Sequence, residues 1–196
     1  FNLMLSQRGI LSLAHSRHEL EGQRRWANAI QMNGVDSEVL TADEIAHLEP
    51  ALNLDTHYPV VGGFIQHRGA IVRHDAVVWG LARAASNLGV DIIQGCEVTG
   101  FDIVAGKVRG VNTNQGNIAS ERIGIAVAGH STQLADMAGF PLPLTSMALQ
   151  AMVTEPIKPV LNTIVLSAAI HVYISQSDRG EIVIGGSADV HNSYAQ

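Results

Sequence analysis

The chain has 196 residues, of which 46% are hydrophobic and 15% charged, and its net charge is −6. The acidic balance argues against a nucleic-acid partner, because nucleic-acid-binding domains carry a basic stripe, and no apolar run reaches the roughly 20 residues of a membrane span. The charged fraction is below the roughly 25% usual in soluble domains, so we expect another domain or subunit to cover part of the surface.

The first part of the sequence alternates short strands with two helices. Residues 1–16 alternate apolar and polar side chains and predict a strand, and the helix that follows ends at Gly34. Thr41 and Glu44 form a capping box, which predicts the start of a second helix. That helix is expected to end at Pro50, since proline cannot continue it.

An extended, glycine-rich stretch then leads into the clearest helix of the chain. Asp75 is predicted to begin this helix, and Gly89 is its expected C′ residue. The apolar face of the helix consists of Val77, Leu81, Ala84, Ala85 and Leu88.

From Val90 onward the sequence predicts mainly strands. Ala105-Gly106 and Gln115-Gly116 are hairpin signals. Ile123 to Ala128 is almost wholly apolar, which is typical of a strand buried on both faces, and a helix is predicted from Ser131 to Ala138. Four further strands are predicted in ALQAMVTE, TIVLS, IHVYISQ and EIVIGGS.

Two polar features do not indicate chemistry. HSRHE, from His15 to Glu19, lacks the H-E-x-x-H order and a third ligand nearby, so we predict no metal site. Cys96 is the only cysteine, and its strand-like surroundings, with no histidine beside it, indicate a buried structural thiol. A lone cysteine also excludes a disulfide framework and favours the reducing cytoplasm.

Two other stretches are candidates for cofactor binding. In VAGHS, the small residues Ala128 and Gly129 would let a dinucleotide or flavin phosphate lie against the backbone, although an ordinary strand-to-helix turn explains them equally well. The RHD segment, Arg73 to Asp75, has two interpretations. It is either an ordinary helix start with Asp75 as the N-cap, or a site where His74 is the attachment point for a cofactor. The sequence on both sides of RHD favours the attachment.

This surrounding sequence resembles the amino-acid oxidase family of flavoproteins, and within it the beta subunits of heterotetrameric sarcosine oxidases. The glycine-rich stretch, the helix, the next strand and the VAGHS turn follow the family pattern in order, over nearly the whole chain. The matching residues are Gly62-Gly63-Phe64, Gly69, Val72, Leu88-Gly89-Val90, Glu97-Val98-Thr99-Gly100, Ile123 to Ser131, Pro143, Gln150 and Glu155.

The resemblance implies a mixed α/β fold, with part of an FAD-binding Rossmann-like domain and an antiparallel β-sheet substrate domain. Residues 1–73 and 140–196 would belong to the substrate domain and residues 74–139 to the FAD-binding domain. The family's G-x-G-x-x-G unit is missing from the sequence, so we expect the sequence to be an internal part of a longer chain. By itself it should bind FAD negligibly, be inactive and self-associate.

The resemblance also implies two flavins. FAD would lie noncovalently against Val98, Ala128 and Gly129. FMN would be bound covalently through its 8-methyl group to His74, in a segment where many relatives carry a proline instead. Arg73 would counter the phosphate or the developing charge of this flavin.

The implied reaction is the oxidation of sarcosine (N-methylglycine) by hydride transfer to FAD. Electrons would then pass to FMN, at the interface with an alpha subunit, and on to oxygen, while gamma and delta subunits complete the assembly. His171 and Tyr173 are candidate substrate contacts, although a solvated strand face explains them nearly as well. The alternatives are a related dimethylglycine, glycine or opine oxidase, and a non-catalytic interaction module of the same fold.

Overall fold

The structure is a computed structural model that describes residues 1–190, with side chains as far as Ala188. This part of the chain forms two units, the first from Phe1–Ala84 with Leu149–Ser187 and the second mainly from Ala85–Ala148. Its strands are β1 (Ser6–Gln7), β2 (Ile10–Ala14), β3 (Ser37–Thr41), β4 (Gly62–Gln66), β5 (Ala70–Ile71), β6 (Val98–Val104), β7 (Lys107–Thr113), β8 (Gly116–Ala119), β9 (Met147–Val153), β10 (Ile164–Ser167), β11 (Val172–Gln176) and β12 (Ile182–Val190). Residues 191–196 of the predicted substrate domain lie outside the described part.

The main sheet has seven strands in the order β3-β4-β2-β10-β11-β12-β9. Most of its pairs are antiparallel, as expected, but β2 and β10 run parallel, with Leu11 opposite Val165. The mixed α/β class is therefore confirmed, and the sheet is mixed rather than purely antiparallel. β1 and β5 form a separate two-stranded pair.

Two helices pack near one edge of this sheet and close its core. α1 (Arg17–Gln31) begins after Ser16, whose hydroxyl accepts a hydrogen bond from the Glu19 amide, and α2 (Ala42–Leu48) begins with the predicted capping box. Trp26 of α1 meets Phe64 edge to face at 5.3 Å. The buried cluster consists of Leu11, Leu13, Leu40, Ile45, Val60, Ile65 and Val165.

The third helix, α3 (His74–Asn87), begins one residue earlier than predicted. The carbonyl of Arg73 accepts the first helical hydrogen bond, from Val77, so Arg73 occupies the cap position. Asp75 lies inside the first turn and is not the N-cap. Gly89 ends the helix as expected, with a φ of +87°, and the Val90 amide donates to the Ala85 carbonyl as in a Schellman motif.

The second unit contains the antiparallel sheet β6-β7-β8. The predicted Ala105-Gly106 turn joins β6 to β7, with both residues at positive φ. The strand predicted at Ile123 to Ala128 is wrong, because residues 121–127 form no strand. A strand needs a partner for its backbone amides and carbonyls, and no described strand pairs with this apolar run.

The run ends in a single 3-10 turn, Ala128–His130, followed by α4 (Ser131–Met137). The sequence correctly predicted the start of this helix. No helix within residues 1–190 is both long and apolar enough to cross a membrane.

Candidate functional site

His74 opens onto a cavity of about 660 Å³ in the first unit. The cavity lies where the start of α3, the β1–β5 pair, the end of β9 and the β11–β12 turn meet. Its walls combine apolar side chains with several charged and polar ones. The lining residues are Asn2, Met4, Leu5, Ser6, Ile71, Arg73, His74, Val153, Gln176, Ser177, Asp178, Arg179, Glu181 and Val183. We refer to it as the His74 cavity.

Arg73 and Asp75 flank His74 and form a loose ion pair, with 3.5 Å between Arg73 Nε and Asp75 Oδ1. The Ala76 amide donates to Asp75 Oδ1 at 2.9 Å and is the main reason that the pKa of Asp75 lies below its ordinary value, with Arg73 adding to the effect. Asp75 is therefore a carboxylate at neutral pH. Among residues 1–190, no hydrogen bond to the imidazole of His74 is seen, and the side chain is exposed.

The β11–β12 turn contributes a second charged group to the same cavity. Arg179 Nη2 lies 3.1 Å from Glu181 Oε1, and the Ser177 hydroxyl donates to the other oxygen of that carboxylate. The Ser177 hydrogen bond is the largest cause holding the pKa of Glu181 below its ordinary value. Sequence reasoning missed these residues, although SDRGE between two strands is a charged hairpin turn.

The second unit has its own cavity, of about 320 Å³, between the start of β6 and the Ala128–His130 turn. Val98 lines it, as do Val127 and His130, the residues that bracket Ala128 and Gly129. Apolar side chains form much of the wall, and polar groups are added by Glu97, His130 and Gln133. The structure therefore places Val98 close to the VAGHS turn, although Ala128 and Gly129 do not themselves line the cavity.

Ala128 and Gly129 themselves form an open backbone turn. Ala128 has a φ of +47°, which is unusual for a residue with a side chain. A Cβ added to Gly129 would meet nothing within 4 Å. Both carbonyls are held by serines, because Ser131 donates to Ala128 at 2.7 Å and Ser146 to Gly129 at 2.7 Å.

His171 and Tyr173 line neither cavity. His171 lies in the turn before β11, at a φ of +49°, and not on the strand as predicted. Tyr173 is on β11, paired with Gly185 of β12, and its ring occupies the space that a side chain at Gly185 would fill. Their role in substrate binding stays a prediction.

Sequence reasoning also missed a partly buried polar cluster at the end of β2. His15 Nδ1 lies 3.0 Å from the Tyr58 carbonyl, which can only accept, so Nδ1 carries the hydrogen. His15 Nε2 consequently accepts from the Ser167 hydroxyl at 2.7 Å. The two contacts tie β2, β10 and the loop before β4 together. Within the described residues, no group of three or more His, Cys, Asp or Glu is placed to hold a metal.

A sequence model described as "FAD dependent oxidoreductase" matches residues 1–196 of the chain. The chain belongs to this family. The FAD-dependent oxidoreductase is 48% identical to sarcosine oxidase subunit beta of Rhodobacter capsulatus over 197 residues, which cover 100% of this chain and 48% of that protein. It is 46% identical to sarcosine oxidase subunit beta of an Arthrobacter species, with 100% and 49% of the two chains covered. The chain thus spans about half the length of these relatives.

The fold of this FAD-dependent oxidoreductase is also found in solved structures. It superposes on the crystal structure of L-proline dehydrogenase from P. horikoshii with a TM-score of 0.84 and 25% identity. The match covers 94% of this chain and 50% of that one. The predicted family and the predicted fold class are both confirmed.

The side chains around the two cavities fit flavin chemistry. In the cavity beside Val98, the apolar walls suit the faces of a flat base such as the adenine of FAD. The Glu97 carboxylate, the His130 imidazole and the Gln133 amide suit the edges of the base and the hydroxyls of its sugar. The His74 cavity joins a nucleophilic imidazole to apolar walls and two arginines. This combination suits a flavin ring with an anionic tail.

Proposed function

We propose that the full-length protein oxidises sarcosine, or a related N-methyl amino acid, as the flavin-bearing subunit of a larger oxidase. The observation that supports this most is the 48% identity to a sarcosine oxidase beta subunit over the whole of the chain. Bound FAD would supply the two-electron acceptor for the hydride that leaves the N-methyl carbon. Residues 74–139 would form part of the domain that binds it, and residues 1–73 and 140–196 part of the substrate domain.

Val98, Ala128 and Gly129 are the residues that we assign to FAD. Val98 offers an apolar wall at the start of β6, and the Ala128-Gly129 turn offers backbone with open space beside Gly129. A residue at positive φ such as Ala128 is costly, so its presence beside a cavity supports a binding role. His171 and Tyr173 are kept as proposed substrate contacts on the other unit.

His74 is the proposed attachment point for FMN. One imidazole nitrogen would form a bond to the 8-methyl carbon of the flavin, with loss of the imidazole N–H proton and one methyl hydrogen. The two electrons and two protons released would go to dioxygen, giving hydrogen peroxide and leaving the attached flavin oxidised. The exposed, unpartnered imidazole supports this role, because nothing in the described chain must be broken before it can react.

Arg73 and Asp75 would assist His74 from either side. The Arg73 guanidinium faces the cavity, where it would counter the negative charge of the flavin or its phosphate. The ionised Asp75 would orient the imidazole ring and stabilise the positive charge that the ring carries once its nitrogen has bonded to the flavin, before the N–H proton leaves. We propose that the alpha subunit covers this open face and that gamma and delta subunits complete the complex. The lone Cys96 supports a cytoplasmic location.

The test is the His74→Ala variant of the full-length protein assembled with its partner subunits. We expect loss of the flavin that stays with the protein after acid precipitation, whereas acid-releasable FAD and its reduction by sarcosine remain. His67→Ala is the matched control, because His67 is an exposed histidine paired with Glu38 away from the cavity. Acid-stable flavin equal to wild type in His74→Ala would disprove the attachment.

A further inference from the structure

We propose that Arg179 is a second anchoring residue of the His74 cavity, where its guanidinium binds an anionic part of the flavin. That part is either the phosphate or the N1–C2 carbonyl edge of the ring, which becomes negative when the flavin is reduced. The proposal rests on the proposed flavin site at His74 and extends it to a different element of the fold.

Arg179 and His74 line one cavity although they come from separate elements. His74 begins α3, whereas Arg179 lies in the turn between β11 and β12. The cavity volume of about 660 Å³ falls within the range of about 300–1,000 Å³ that is typical of small-molecule sites. A ligand fixed to His74 would therefore share its enclosure with Arg179.

The turn that carries Arg179 is held rigidly. The Ser177 amide donates to the Glu181 carbonyl at 2.8 Å, and the Arg179 amide donates to the Ser177 hydroxyl at 3.1 Å. Gly180 has a φ of +101°, and a Cβ there would collide with the Ile157 carbonyl. The backbone that carries this cation therefore does not have to be ordered when a ligand binds.

The buried Gln176 side chain fixes the base of this turn. Its amide nitrogen donates to the Gly180 carbonyl at 3.0 Å, and its oxygen accepts from the Val160 amide at 2.8 Å. Gln176 is only 2% exposed. The turn is thereby tied to the neighbouring loop, which keeps Arg179 at the cavity wall.

Most of the hydrogen-bonding capacity of Arg179 is unused. A guanidinium has five N–H donors, and only Nη2 contacts Glu181, which is itself largely covered, at 14% side-chain exposure against 70% for Arg179. Glu181 orients the group without enclosing it. Asp178 also lines the cavity, but a carboxylate repels the anionic groups that the arginine attracts.

The two possible anionic groups call for different measurements on the full-length complex. The first measures the binding of FMN and of riboflavin by flavin fluorescence quenching. It compares the His74→Ala variant with the His74→Ala/Arg179→Gln double variant. Loss of a charge-assisted bidentate contact should weaken binding about tenfold or more. If Arg179 binds the phosphate, this loss affects FMN and spares riboflavin.

The second measurement is the midpoint potential of the flavin attached to His74. If Arg179 binds the N1–C2 edge, Arg179→Gln shifts this potential to more negative values, because the reduced flavin loses a cation. FMN and riboflavin would then be weakened equally in the first measurement. Arg179→Lys should restore the potential, since it keeps the charge, but should restore a bidentate phosphate contact only in part.

Arg68→Gln is the control, because Arg68 forms a comparable exposed ion pair with Asp36 away from the cavity. The proposal is overturned if Arg179→Gln changes neither flavin affinity nor potential more than this control does. It is also overturned if the His74→Ala complex binds neither flavin. A wild-type complex without acid-stable flavin would disprove only the covalent attachment to His74. The role of Arg179 would still be tested by the comparison of FMN with riboflavin.

Discussion

Glu49 is fully buried, and its carboxylate accepts hydrogen bonds from the backbone amides of Asn162 and Thr163. These contacts join the end of α2 to the loop that leads into β10. Glu49→Ala leaves the buried amide of Thr163 without a partner, at about 1–3 kcal/mol, and also removes the part-buried contact to the Asn162 amide. We expect the free energy of unfolding to fall by about 3 kcal/mol, measured by urea denaturation of the full-length protein.

Glu38→Ala provides the comparison for this prediction. Glu38 is an exposed glutamate that pairs with His67, and replacing such a surface residue changes stability by only about 0.5 kcal/mol. Equal losses for the two variants would show that the Glu49 contacts contribute nothing specific.

At the scale of single residues, sequence reasoning proposed His74 and its neighbours because they stand together in the chain, and their role stays a prediction. It could not identify Glu49, Arg179 or the His15–Ser167 pair. Each of these acts on residues distant in sequence, and a single sequence carries no signal of that proximity. Asp75 was misplaced for a smaller reason: cap and first-turn positions both favour aspartate.

Among the elements, α2 depends most clearly on a local device. The Thr41 hydroxyl accepts from the Glu44 amide at 3.3 Å, while the Thr41 amide donates to Glu44 Oε2 at 2.7 Å. Thr41→Ala removes the first of these contacts and should cost about 1 kcal/mol. Amide hydrogen exchange within Ala42–Leu48 should quicken accordingly, and unchanged exchange would contradict the prediction.

The same contact makes the stability of α2 depend on pH. The backbone hydrogen bond from Thr41 is the main cause that lowers the pKa of Glu44 below its ordinary value of 4.5. Because the folded-state pKa is lowered, the stabilisation is complete above about pH 4.5 and is lost as the pH falls through that lower pKa. The exchange protection of α2, taken relative to the intrinsic exchange rate at each pH, should therefore fall on acidification in wild type, and less so in Glu44→Gln, which has no carboxyl group to protonate.

Elements with local signals were predicted well. The capping box of α2, the Gly89 end of α3 and the Ala105-Gly106 turn each need only a few adjacent residues, and each was confirmed. Ile123 to Ala128 failed because an apolar run becomes a strand only beside a partner strand, which composition does not reveal. The parallel pairing of β2 with β10 was missed for the same reason.

Across the whole chain, large apolar side chains are exposed on α3 and the segment after it. Val78 and Trp79 are each 62% exposed, and Leu88 is 86% exposed. Scattered exposed apolar residues are normal, but neighbours such as Val78 and Trp79 offer apolar area that can associate. We expect the 196-residue chain alone to self-associate, detected by light scattering, and the Val78→Lys/Trp79→Lys double variant to associate less.

The control for this experiment is a double lysine variant at Met32 and Tyr58, which are exposed apolar residues away from α3. It should associate as the unsubstituted chain does. A clean monomer of the unsubstituted chain at high concentration would show that these surfaces are stable in water without a cover.

The parallel pairing of β2 with β10 has a consequence for how the protein is made. β10 lies between β2 and β11 in the main sheet, yet β2 leaves the ribosome long before β10, because the two strands are far apart in sequence. Until β10 emerges, the amides and carbonyls along one side of Leu11 have no strand beside them, and pairing across such a distance in sequence is slow. During translation, β2 and β4 therefore remain an incomplete sheet until β10 is made. The edge of β2 stays open during this time, so chaperones can bind there and nascent chains can associate wrongly.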